Sequence, residues 1–223
     1  MLRLYDERTG RVSDITCARP GRLVLRVNSG EDLRGQVLGD LIRRFCERQR
    51  LRVFAFMNGS TADLNIRPGL DGDPPGADLG VGDVSSRMPA HRQIELGGTA
   101  PLPRPDEVQA RGLDPLALRL VILRCHYREP LDPSWADLED ADADLREWRA
   151  EMAGWAKAPG KPMSSGYVAE ADSALSDDLN VPRALHVLRQ LATDPAVPPG
   201  AKFESFLHLD LTLALDLVRD IGR

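Results

Sequence analysis

Two hydrophobic periods divide this chain. In its first sixty residues, short apolar runs bracket one longer periodic segment. Arg22-Leu23-Val24-Leu25-Arg26-Val27 is rich in branched apolar residues and predicts a strand, which Asn28-Ser29-Gly30 breaks. Leu33, Val37, Leu38, Leu41, Ile42 and Phe45 then recur at helical spacing, predicting a helix from about Asp32 to Arg50, with Asn28, Ser29 or Asp32 as its cap. Leu51-Arg52-Val53-Phe54-Ala55-Phe56 predicts a second strand, closed by Asn58-Gly59. Strand, helix and strand joined by short links are the pattern of a parallel βαβ unit, as in the first half of a nucleotide-binding sheet.

The pattern then changes twice. Residues 67–105 hold so many glycines and prolines that they read as linker, with His91 to Leu96 the one possible strand. Gly80-Val81-Gly82 has no strand ahead of it on this reading, so it makes a poor phosphate loop. Beyond Pro105 the spacing is helical. Asp114-Pro115 opens a helix, and Trp135, Leu138, Ala141, Leu145, Trp148, Met152 and Trp155 define a long amphipathic one. Further helices are predicted over Tyr167 to Leu175, from Asn180-Val181-Pro182 through Leu191, and over Phe203 to Val218. The expectation is an α/β plus all-α chain. A truncated Rossmann-like part (1–66), the remnant of a nucleotide-binding βαβ unit, precedes the linker (67–105) and a helical bundle (106–223).

Charge adds an asymmetry. The chain carries a net charge of -5, yet residues 1–60 hold twelve arginines against seven acids, and residues 135–178 hold eleven acids against four bases. Arg43, Arg44, Arg48, Arg50 and Arg52 could form a basic face for RNA phosphates; the plainer reading is a solvated helix face in an arginine-rich chain with three lysines. Cys17, Cys46 and Cys125 are too few and too scattered for a disulfide framework or a zinc motif. With no apolar span and no signal-like N-terminus, the expected compartment is the cytoplasm. Neither a metal nor another cofactor is expected from so dispersed a set of histidines and cysteines.

Two stretches carry a resemblance. Gly112-Leu113-Asp114-Pro115-Leu116-Ala117-Leu118-Arg119-Leu120 with His126-Tyr127-Arg128, and Asp177-Asp178-Leu179-Asn180-Val181-Pro182-Arg183-Ala184-Leu185, resemble the helical domain of the cysteinyl-tRNA synthetase and mycothiol cysteine-ligase family. Leu4-Tyr5-Asp6, Pro20-Gly21-Arg22, Asp40 to Arg44 and Asn58 to Asp63 are similar to the family's opening strands, first helix and Asn-x-Thr-Asp-x-Asp stretch. The departures are equally specific. Asn28 stands where the family has a zinc-binding Cys, and Gly30 runs almost directly into Asp32-Leu33-Arg34, leaving no room for the His-x-Gly-His signature. The segments supplying the other zinc ligands have no counterpart, and Gly97-Gly98-Thr99-Ala100-Pro101-Leu102-Pro103 stands in place of the Lys-Met-Ser-Lys-Ser loop. The family's anticodon-binding tail is expected to be missing as well.

The resemblance implies a weak substrate-binding set of Arg34, Asn58, Asp63 and Arg119. Two of them have a plainer alternative: Arg34 as a surface arginine, Asp63 as a turn or cap residue. His91 resembles a family His ahead of the lysine loop; Asp177-Asp178 could be an acid pair but more simply tunes a helix start. The tryptophan stripe could dock a partner, though its helical period favours a core role. No catalytic residue is assigned, and ATP binding is not expected. The implied function is a non-catalytic paralogue that binds a protein partner or a second copy, with tRNA as a further candidate and no membrane. The competing functions are a ligase or aminoacyl-transfer enzyme of altered chemistry and a tRNA-handling subunit.

Overall fold

The computed structural model describes residues 1–6, 9–28, 32–57, 62–72, 74, 76–82 and 90–222. It begins with an antiparallel hairpin of β1 (Arg3–Asp6) and β2 (Arg11–Asp14). Next come β3 (Arg22–Asn28), helix α1 (Leu33–Arg48) and β4 (Arg52–Met57), with β3 and β4 parallel in register from Arg22↔Arg52 to Val27↔Met57. The βαβ unit read from the hydrophobic pattern is therefore present. Asp32 supplies the cap, accepting from the Arg34 N–H at 3.0 Å.

The stretch read as linker contributes two strands to the sheet, one of them where His91 to Leu96 is the possible strand. β5 (Ala77–Gly82) and β6 (Ala90–Ile94) extend it in parallel, giving the order β4-β3-β5-β6. Gly80-Val81-Gly82 lies inside a strand, not after one. The signal was hidden because Asp78, Gly80 and Gly82 alternate with Leu79 and Val81, and β5 is buried along its whole length. Pairing on both sides supplies what propensity does not.

Register sets Leu25, Ala55 and Leu79 side by side on one face, and Val27, Met57 and Val81 one step further. Helix α1 lies on this face so closely that a Cβ on Gly39 would sit 2.4 Å from Val27 Cγ2. Its far side packs on the helical region, so α1 is a middle layer buried nearly all round. The helices are α2 (Pro105–Ala110), α3 (Leu116–Arg124), α4 (Trp135–Trp155), α5 (Ser165–Ser176), α6 (Val181–Thr193) and α7 (Pro199–Leu213).

Helix α4 starts in a reciprocal cap between Ser134 and Asp137, and Asn180 caps α6 by accepting from Arg183 N–H at 3.1 Å. The tryptophan stripe is core: Trp148 is buried, and Trp148 and Trp155 meet Phe206 edge-on at 6.4 and 5.0 Å between centroids. Helix α7 stops before the Val218 expected from periodicity. Ala214 turns left-handed, and the Asp210 carboxylate accepts from the N–H groups of Leu215 (2.7 Å) and Leu217 (3.0 Å). Among the described residues no helix is long and apolar enough to cross a membrane.

Candidate functional site

In a parallel sheet, ligands gather at the carboxyl ends of the strands where the direction of winding reverses. Here the chain passes from β3 through α1 to β4 and then crosses back to β5, so the reversal lies between β3 and β5. Asn58 falls outside the described residues, as do Ser29 to Glu31.

The start of α1, which follows β3, is described near this end. Arg34, in the first turn of α1, is 1% exposed, so the reading of it as a surface arginine is corrected. Its Nη1 donates to Gly97 O (2.9 Å), and its Nη2 donates to His126 O (2.9 Å) and Glu129 O (2.7 Å). Burial lowers the pKa of this guanidinium, while Cys125, Asp32 and Glu129 act in the opposite direction. Gly97 is required there, since a Cβ would lie 2.3 Å from Glu129 O. A cavity of about 10 Å³ remains between Arg34, Val37, Ile122 and Cys125, room for a single water.

Arg119 makes a second clamp of the same kind. It is fully buried, and its Nε donates to Leu213 O (2.7 Å), Nη1 to Leu64 O (2.9 Å) and Nη2 to Asp40 Oδ2 (2.9 Å). Asp40, also fully buried, accepts from Arg44 Nε (2.7 Å) and from the Arg67 N–H (3.2 Å). Burial lowers the Arg119 pKa, Asp40 opposes it, and Arg44 adds to the lowering. Arg34 and Arg119 thus occupy separate clamps. Asp63 is exposed in a 3-10 turn, Ala62–Leu64.

The Asp177-Asp178 pair does more than start a helix. Asp178 is buried and left-handed (φ 58), followed by left-handed Leu179 (φ 49). Its carboxylate accepts from Tyr5 N–H (2.8 Å), Tyr127 Oη–H (2.5 Å) and Arg128 Nη2 (2.6 Å), joining the N-terminal hairpin to the α3–α4 connection. Burial, and then the Asp178 carboxylate, push the Tyr127 phenol well above its ordinary range. Asp177 pairs with Arg3 at the surface. The juxtaposition of Tyr127 and Arg128 with Asp178 was not read from sequence, although both stretches stand out in it.

The basic face of α1 is also consumed internally. Arg43 pairs with Glu47, Arg44 with Asp40, and Arg48 with Asp172 while donating to His208 Nε2 at 2.5 Å. Among the described residues, no group of three His, Cys, Asp or Glu side chains is placed to hold a metal ion. A different space lies at the opposite end of the sheet. A groove of about 700 Å³ opens at the amino ends of β3 and β5, lined by Arg19, Arg22, Val24, Ala77, Asp78 and His91 among others. Sequence reasoning missed it because its wall, β5, was taken for linker.

A parallel α/β sheet joined through a buried middle helix to a helical region is compatible with a Rossmann-like enzyme core and its appended domain. Relatives narrow this to a cysteine–tRNA-ligase-like protein. The chain is 36% identical to cysteine–tRNA ligase 1 of Burkholderia lata over 49% of its own length and 23% of the relative's. It is 39% identical to the L-cysteine:1D-myo-inositol 2-amino-2-deoxy-alpha-D-glucopyranoside ligase of Mycolicibacterium paratuberculosis over 40% of this chain and 20% of that one. The cysteine–tRNA ligase of Methylocella silvestris is 39% identical over 44% and 19%. The matches thus span about a quarter or less of each of these relatives. No family model matches the chain.

Proposed function

We propose that this cysteine–tRNA-ligase-like chain is a non-catalytic paralogue that works by binding a partner. The observation that carries the reading is the Arg34 clamp. The first turn of α1, beside the winding reversal, presents a buried guanidinium spent on three backbone carbonyls, with about 10 Å³ left beside it. Adenylation needs positioned cationic or metal groups facing a triphosphate. The sequence supports the same reading, since no histidine precedes His91 and no lysine precedes Lys157.

Cysteine-dependent exchange of pyrophosphate into ATP, run beside an active cysteine–tRNA ligase, is the test. The expected result is exchange no higher than the protein-free blank. Exchange that requires cysteine and saturates with ATP would overturn the reading and reinstate a ligase built on Arg34, Asn58, Asp63 and Arg119.

A further inference from the structure

The geometry points to a binding site for a small organic phosphate in the groove at the amino ends of β3 and β5, opposite the end where ligands of such sheets usually sit. Three observations carry it. First, the groove holds about 700 Å³, within the range that encloses a metabolite of nucleotide size.

Second, its charge is uncompensated among the described residues. Arg19, Arg22 and His91 line it with one carboxylate, Asp78, and both Asp78 oxygens are occupied, accepting at 2.7 Å from the N–H groups of Ala18 and Val24. Arg22 Nε is buried without a hydrogen-bond partner. Among the described residues neither Arg19 nor Arg22 makes an ion pair, whereas Arg43, Arg44 and Arg48 all do. In a chain of net charge -5, two arginines without an ion pair among the described residues leave a local charge along this groove for an anion to satisfy.

Third, one of the two forks is held. The Arg22 guanidinium lies 4.2 Å from the centroid of Phe54, whose ring Arg52 also approaches at 5.0 Å. A stacked guanidinium keeps its plane and offers its edge donors in a fixed direction, the arrangement that takes a phosphate bidentately. Two arginines and a histidine offer more donors than a carboxylate's two oxygens can accept. Val24, Gly76 and Ala77 supply an uncharged wall for the organic part. An RNA strand fits less well. Single-strand sites track several phosphates and stack bases on open aromatic faces, and the Phe54 ring is already flanked by Arg22 and Arg52.

Calorimetric titration at constant ionic strength with inorganic phosphate, adenosine monophosphate and a short single-stranded RNA tests this. Both phosphates are expected to bind saturably, the nucleotide more tightly, with chloride inert. Arg19→Gln and Arg22→Gln should each weaken nucleotide binding by about tenfold or more, the scale of one lost charge-assisted hydrogen bond. Arg146→Gln, an exposed arginine paired with Asp142 elsewhere, should change nothing. Arg19 is exposed and makes no side-chain hydrogen bond or ion pair among the described residues, so its variant keeps the test valid if Arg22→Gln disturbs the Phe54 stack. Absence of saturable phosphate binding, affinity unchanged in the Arg19 variant, a nucleotide weaker than inorganic phosphate, or RNA binding that nucleotide does not displace would each overturn the assignment.

Discussion

Arg119→Met tests whether the buried clamp couples the sheet to the helices. The substitution keeps an unbranched apolar stem and removes every donor. Leu213 O and Leu64 O lose their partners, and Asp40, fully buried, loses one of the two guanidinium groups on Oδ2. Breaking a buried pair from one side costs about 3–5 kcal/mol. Asp40 keeps Arg44 at 2.7 Å and the Arg67 N–H at 3.2 Å, which argues for the lower half of that range. At roughly 2–4 °C per kcal/mol for a chain of this size, the melting temperature should fall by about 6–15 °C. Because Arg119 ties α1 and the turn after β4 to the end of α7, unfolding in urea should also broaden or split, with a lower apparent m. Asp40→Asn in the same background should cost less than it does alone, since the two act through one contact. A loss below about 1 kcal/mol, or strict additivity with Asp40→Asn, would refute the reasoning and reduce the pair to the rank of a surface ion pair.

Other outcomes follow from single contacts. Gly39→Ala should destabilise by about 1–3 kcal/mol by urea unfolding, because its Cβ would press on Val27 Cγ2, and Val27→Ala in the same chain should recover part of the loss. Tyr127→Phe removes the 2.5 Å bond to Asp178 and should cost about 1–3 kcal/mol; an unchanged midpoint would show the hub to be dispensable. Burial, and then Arg48, lower the His208 pKa from its ordinary 6.5. The unfolded chain therefore binds this proton more readily, so stability is full above about pH 6.5 and falls as pH drops through that value toward the folded pKa. The same order follows from Arg48 donating to His208 Nε2, a bond that needs the neutral ring. His208→Gln should flatten the slope of urea midpoints measured between about pH 5 and 8.

The helices were legible because their apolar spacing and their caps agree. Asn180 with Pro182 marks the start of α6, and Trp135–Trp155 is the span the tryptophan period implies. The βαβ unit was legible for the same reason. β5 was not, because a strand buried on both faces needs no apolar alternation, and Asp78 sits in it on main-chain donors that only the fold brings near. The clamps were half legible. Arg34 and Arg119 stand out by resemblance, but sequence does not distinguish an arginine facing a ligand from one facing carbonyls. The latter arises where loops such as Gly97 to Ala100 and His126 to Leu131 run side by side with unpaired carbonyls to satisfy.

These two arginines also explain how a helical region can stay attached to so small a sheet. A four-stranded parallel sheet usually has helices on both faces; here α1 covers one, and the opposite face carries half-buried Val24, Phe54 and Phe56 beside Arg22. A single helix layer must therefore bind both neighbours. Helix α1 does so apolarly toward the sheet, through Val37, Leu41 and Phe45. Toward the helices it uses Arg34 at its start, Asp40 with Arg119 at its middle, and Arg48 with Asp172 and His208 at its end. Apolar contact is non-directional and tolerates sliding, whereas three spaced polar clamps fix one register. On the opposite face Arg22 and Arg52 lie over the Phe54 ring and shield it from water. The same single helix layer that the clamps hold in register leaves the ring on the sheet's other side to be flanked by arginines.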